Sequence, residues 1–102
     1  MENGKIYAQP FNVVFGTILD MIELQNGKET LSDSPHGRVN FSISMYGFTW
    51  EMKFAVTSIG YGSRVHLEIG GEPDDREKIL GKEFALLDSM LLGVNPNCPE
   101  NA

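Results

Sequence analysis

Two histidines, one cysteine and a few paired acids are the side chains of this 102-residue sequence best equipped for chemistry, and their spacing assembles no recognisable site. His36 falls in Ser34-Pro35-His36-Gly37, which reads as a turn, and His66 falls on the polar side of an alternating segment. Neither has a cysteine near it in sequence. A metal needs three or four convergent ligands, so His66 reads as a surface histidine and no metal site is expected. Glu72, Asp74 and Asp75 match no EF-hand spacing, and acids at the start of a helix explain them. Asp33-Ser34 and Asp88-Ser89 bring hydroxyls without a base at a recognisable distance, and no Gly-x-Ser-x-Gly elbow occurs. Gly60-Tyr61-Gly62 lacks the following helix that phosphate binding requires, so it reads as a hairpin turn. Asn40-Phe41-Ser42 is a glycosylation sequon by letter only, inside a predicted strand and behind no secretion signal. Cys98 has no neighbouring cation in sequence to lower its pKa and reads as an inert thiol. No catalytic residue and no cofactor are expected.

The remaining constellation is apolar: Trp50 with Met45, Met52, Met90 and Phe84. Adaptable methionines beside aromatics suit either an irregular core or a soft apolar pocket. Both readings stay open at this point. The exposed turn residues Tyr46, Phe48, Ile59 and Tyr61 offer a contact surface at the ends of the same region, although scattered apolar residues need no explanation.

These residues are positioned by the stretch Gly37 to Ile69, which alternates with a period of two through three segments and reads as an antiparallel meander. Val39, Phe41, Ile43 and Met45 share one face of the first. Trp50, Met52, Phe54 and Val56 continue that face in the second, and Val65, Leu67 and Ile69 complete it in the third. The turns agree with the pattern. With Tyr46-Gly47 central, Ile43 faces Trp50 and Phe41 faces Met52; with Gly60-Tyr61 central, in a type II′ turn, Phe54 faces Leu67 and Met52 faces Ile69. The outer face carries Asn40, Lys53, Glu68 and other polar residues. One apolar face must then be covered.

Two helical patterns supply the cover. Phe11, Val14, Phe15, Ile18, Met21 and Ile22 recur at spacings of three and four after Pro10, which suits the first helical position, and Asn26-Gly27 supplies a left-handed stop. After Gly70-Gly71-Glu72, a second helix opens at Pro73. Arg76, Leu80, Phe84, Leu87 and Leu91 form its stripe, widened by Ile79, Glu83, Leu86 and Met90, and Gly93 ends it. Lys5 to Gln9 reads as a short edge strand with Ile6 and Ala8 on one side and Tyr7 on the other. Lys28 to Asp33, with Leu31 as its single strong apolar residue, is either an edge strand or a connector, and if it pairs it pairs with the Val39 strand. The expected fold class is α+β: one domain over residues 1–93, a curved antiparallel sheet of the three-strand meander plus one or two edge strands, packed against an N-terminal and a long C-terminal helix. Residues 94–102, with Pro96 and Pro99, read as a flexible tail.

Composition narrows the function classes. Apolar content of 41% and charged content of 22% exclude disordered and collagen-like classes. A net charge of −6 with no basic run makes nucleic acid an unexpected partner. No apolar run approaches the roughly 20 residues needed for a membrane span, and no signal-peptide core follows the first residues. One cysteine permits no internal disulfide. The expected location is cytoplasmic.

The order of elements resembles a shortened START-like, or helix-grip, domain of the SRPBCC class, the polyketide cyclase and Bet v 1 type. The resemblance spans Lys5 to Leu92. It is carried by Ile6-Tyr7-Ala8-Gln9-Pro10-Phe11 leading into Val13-Val14-Phe15, by Trp50 early in the second meander strand, by Gly60-Tyr61-Gly62-Ser63-Arg64-Val65, and by Phe84-Ala85-Leu86-Leu87 in the closing helix. It implies a small apolar or amphipathic ligand held between the C-terminal helix and the sheet, against Phe41, Ile43, Trp50, Met52, Phe54, Leu67, Phe84, Leu87 and Met90. The chain is shorter than full-sized members, which implies a cavity reduced or filled by side chains. A non-catalytic ligand-binding domain is the leading expectation. A protein interaction module or homodimer is the alternative, and a small hydrolase or cyclase comes third.

Overall fold

The computed structural model describes residues 4–45, 47–70 and 73–92. The expected tail over 94–102 with Cys98, the Gly93 stop, Tyr46, Gly71 and Glu72, and the carboxylates of Asp74 and Asp75 lie outside the described residues. The chain runs β1 (Gly4–Tyr7), α1 (Phe11–Leu24), β2 (Lys28–Asp33), a single 3-10 turn (Ser34–His36), β3 (Arg38–Met45), β4 (Phe48–Ser58), β5 (Ser63–Ile69) and α2 (Pro73–Leu92). The five strands make one antiparallel sheet in the order β1-β5-β4-β3-β2. The fold class is therefore α+β, as the alternation and the two helical stripes predicted.

The registers follow from the turns. Ile43 faces Trp50, Phe41 faces Met52 and Val39 faces Phe54 between β3 and β4. Val56 faces Val65, Phe54 faces Leu67 and Met52 faces Ile69 between β4 and β5. Gly60 takes a positive φ of 91°, as the first central residue of a II′ turn must, and the Ile59 N–H donates to the Gly62 carbonyl at 3.0 Å. Phe41 and Phe54, diagonal neighbours on the inner face, stack with ring centroids 5.7 Å apart.

Both edges differ in detail from expectation. β1 ends at Tyr7 rather than Gln9, and it is Tyr7 that turns inward, while Ile6 is 49% exposed. Gly62 explains the stop: a Cβ there would run into the Tyr7 carbonyl, so the chain passes tightly over the start of β5, and Ser63 Oγ donates to the Gln9 carbonyl at 2.9 Å. Lys28–Asp33 is a strand and pairs with β3, with a register shift between Glu29 and Leu31. That bulge sets Leu31 beside Asn40 on the outer face, which leaves it 49% exposed. β2 is thus held by backbone hydrogen bonds and contributes nothing to the apolar core.

Pro10 is the N-cap of α1 rather than its first helical residue, so the helix starts one position later than predicted, at Phe11. Its extended backbone (φ −72°, ψ 165°) lets its carbonyl accept from the Val13 and Val14 N–H groups at 3.1 and 3.0 Å. The other end closes as a Schellman motif: Asn26 is left-handed at φ 60°, Gly27 N–H donates to the Ile22 carbonyl at 2.8 Å, and Asn26 N–H donates to that of Glu23 at 3.0 Å. Both helices lie on the inner face of the sheet, α1 touching β4 and β2 and α2 touching β5, and they touch each other along the seam. Val14, Phe15, Ile18, Met21 and Ile22 of α1 and Ile79, Leu80, Phe84 and Leu87 of α2 join the inner sheet residues in one buried cluster.

Candidate functional site

Eight of the nine residues named from the sequence, Phe41, Ile43, Trp50, Met52, Phe54, Leu67, Phe84 and Leu87, are buried and belong to that one cluster, and Met90 packs against it half-buried. Alternation puts the six strand residues on the inner face, and a helical spacing of three places Phe84, Leu87 and Met90 over it. Trp50 sits at the end of the sheet where Phe48, 65% exposed, meets its ring edge-on at 6.4 Å. Cover fades along α2. Ile79, Leu80, Glu83, Phe84 and Leu87 are buried, whereas Leu86, Met90 and Leu91 are only partly so.

The sequence places Glu83 only as widening the stripe, and the structure makes it the one buried charged side chain among the described residues. It is 0% exposed. Its Oε1 accepts from Gln25 Nε2 at 3.0 Å, across the seam from the end of α1, while its Oε2 and the Gln25 Oε1 are both buried without a partner. Burial pushes the Glu83 carboxyl above the ordinary range, against the Gln25 hydrogen bond and the Lys82 charge, which pull it down. A proton on Oε2 would serve both orphaned oxygens at once, as a carboxylic acid does with an amide.

That proton has a measurable consequence. Folded Glu83 holds it to higher pH than the unfolded chain does, so its contribution to stability is complete below the unfolded value and is lost as pH rises through the folded one. Glu83→Gln keeps the shape and removes the titration. In urea unfolding at stepped pH, the stability of the parent relative to Glu83→Gln should fall by up to about 1.4 kcal/mol per pH unit inside that window and stay level below it. A difference that does not change with pH would mean that folding leaves the Glu83 carboxyl unshifted.

A second polar contact ties α2 to the far edge of the sheet. Tyr7 Oη donates to Asp88 Oδ1 at 2.6 Å, Lys5 Nζ pairs with Asp88 Oδ2, and Lys5 also lies 5.7 Å from the Tyr7 ring centre. Burial, and then the Asp88 carboxylate that accepts the phenol proton, pushes the Tyr7 pKa far up. Asp88, paired in sequence with Ser89 as a hydroxyl without a base, is therefore a structural anchor. His36 is exposed and bonded to Asp33 at 2.9 Å, and His66 stands on the outer face. Among the described residues no group of three His, Cys, Asp or Glu side chains is placed to hold a metal.

The outer face carries an open cleft of about 340 Å³ between Leu31, Arg38, Asn40, Lys53, Ala55 and His66. Two further open clefts lie at the corner of α1 and β2 and beside β1. None of these three lies between α2 and the inner face. No described helix is long and apolar enough to cross a membrane.

No protein-family model matches the chain, and no curated protein matches it in sequence. Solved structures do. The chain is similar to Ara h 8.0201, with a TM-score of 0.67, 14% identity, and coverage of 92% of this chain and 97% of that one. It is also similar to CalU16 from Micromonospora echinospora, with a TM-score of 0.63, 16% identity, and coverage of 95% of this chain and 75% of that one. Ara h 8 is a Bet v 1 family allergen and CalU16 a helix-grip protein. Five antiparallel strands gripping a long C-terminal helix, matched over nine-tenths of the chain, give this protein a Bet v 1-like helix-grip fold.

Proposed function

We propose that the protein is a non-catalytic binding domain that takes a small apolar or amphipathic molecule between α2 and the inner face of the sheet, against Phe41, Ile43, Trp50, Met52, Phe54, Leu67, Phe84, Leu87 and Met90. The observation that carries this reading is the uneven seal. The last turns of α2 keep Leu86, Met90 and Leu91 only partly covered, although all three pack against the buried cluster. Lifting that end exposes less apolar surface than lifting the Ile79–Leu80 end, so a ligand has the least to displace there. Fold neighbours of this kind are ligand-binding folds, which is support by analogy for the same face.

Trp50 is the only tryptophan, so its emission reports on the site directly. Titration with 1-decanol, read by that emission and by melting temperature, should give a saturable change in both. A ligand at ten times its Kd adds about 1.4 kcal/mol, which corresponds to a rise of about 6–11 °C in a domain of this size. A melting temperature and an emission spectrum that stay fixed across a panel of alkyl and aromatic probes would remove the reading.

A further inference from the structure

We infer that Glu83 and Gln25 form the head-group site of that binding face, selective for an amphipath whose polar end donates hydrogen bonds, a primary alkylammonium above all, and unreceptive to carboxylates. The inference rests on the reading that a ligand enters between α2 and the sheet, and it names the class of ligand.

The hydrogen-bond inventory of the seam leads to it. Glu83 stands one helical turn from Ile79 and one from Leu87, both fully buried, so its carboxyl is set flush in the apolar stripe that faces the core. The Gln25 amide is the donor it meets, through Nε2 at 3.0 Å, and that same nitrogen reaches the Met21 carbonyl at 3.4 Å. Two acceptors are left over, Glu83 Oε2 and Gln25 Oε1, each shielded from water. Buried polar atoms are normally paired, and an orphan marks an absent partner. Without a proton on Oε2, what this pair of oxygens lacks is donors, and a donating head group can stand where that proton would.

Head groups sort by that criterion. An alkylammonium carries three donors and no acceptor, so it can serve both oxygens and neutralise the carboxylate. An alcohol has one donor and serves one of them. A carboxylate brings further acceptors and a like charge into a dry site, and a ketone or ester brings acceptors alone. The location suits an amphipath. Gln25 sits at the helix end fixed by left-handed Asn26, and the following Gly27 lies flush against Ile22 and Ile43. Ile43 is the cross-strand neighbour of Trp50. A polar end at Glu83 therefore leaves the alkyl body on the soft end of the sheet.

The test titrates the full chain with decylammonium, 1-decanol and decanoate below their aggregation concentrations, following Trp50 emission and melting temperature. Decylammonium should bind at least about tenfold more tightly than decanoate, with 1-decanol between them. Glu83→Gln should cut the ammonium preference about tenfold while leaving 1-decanol bound, and Gln25→Met, which removes the other acceptor and spares the carboxyl, should cut it less. Decanoate binding as well as decylammonium overturns the head-group assignment and leaves the binding reading standing. An ammonium preference that survives in Glu83→Gln overturns it too, since the net charge of −6 would then account for the preference. If none of the three probes binds, both fall together.

Discussion

Alanine at Gly37 should cost about 2–5 kcal/mol of stability, from one added carbon. Gly37 ends the 3-10 turn in the left-handed region at φ 67°, where a side chain costs roughly 1–2 kcal/mol. Its missing Cβ also leaves room for two neighbours, because an added one would collide with the Val56 carbonyl oxygen and approach Phe11 Cε2 to 2.6 Å. The backbone has little freedom to retreat, since Val56 N–H donates to the Gly37 carbonyl at 2.7 Å and so fixes the approach of β3 and β4. Phe11 cannot simply swing away, for it stacks on Phe15 with centroids 5.9 Å apart. Overpacking of this kind adds about 1–3 kcal/mol. Gly60 is the control: its φ is 91° but an added Cβ meets nothing within 4 Å. Gly60→Ala should therefore show the conformational cost alone, and urea midpoints should separate the two variants clearly. Equal losses would mean that the Phe11–Gly37 contact yields freely.

The contrast between those glycines marks what was legible in the sequence. A period of two over three segments fixes which residues share a face, and two short turns fix the register, so the inner face was readable residue by residue. The helical stripes were readable for the same reason. Lys28–Asp33 was not, because its pairing rests on backbone hydrogen bonds with β3 and its one apolar residue ends up outside, past a bulge. Nor could four residues of β1 declare which side was in. The eight buried candidate residues emerged because burial is what periodicity encodes. Glu83 and Gln25 did not, since they meet across 58 residues of sequence and nothing local announces the contact. Tyr7 and Asp88 meet across 81, with the same result. A signal was present for Glu83 alone: a carboxylate spaced four residues from Ile79 and four from Leu87, on the side of the helix that must face the core.

Trp50→Ala should remove about 3–5 kcal/mol, a large share of the roughly 5–15 kcal/mol that holds a domain together. Trp50 is 4% exposed, packs opposite Ile43 and receives the edge of the Phe48 ring. Its removal leaves a hole lined by apolar groups, which stays dry and admits a small apolar guest. Two roles for this side chain then give opposite results in the same variant. If Trp50 is a wall of the ligand site, the rise in melting temperature with 1-decanol disappears in Trp50→Ala, because the alkyl body loses the surface it lay on. If Trp50 is only filling, the variant keeps that rise and gains a new one with indole, which replaces the lost ring. The proposed site requires the first result. Retention of the full 1-decanol shift beside indole rescue would move the ligand away from this end of the sheet and leave Trp50 as a packing residue.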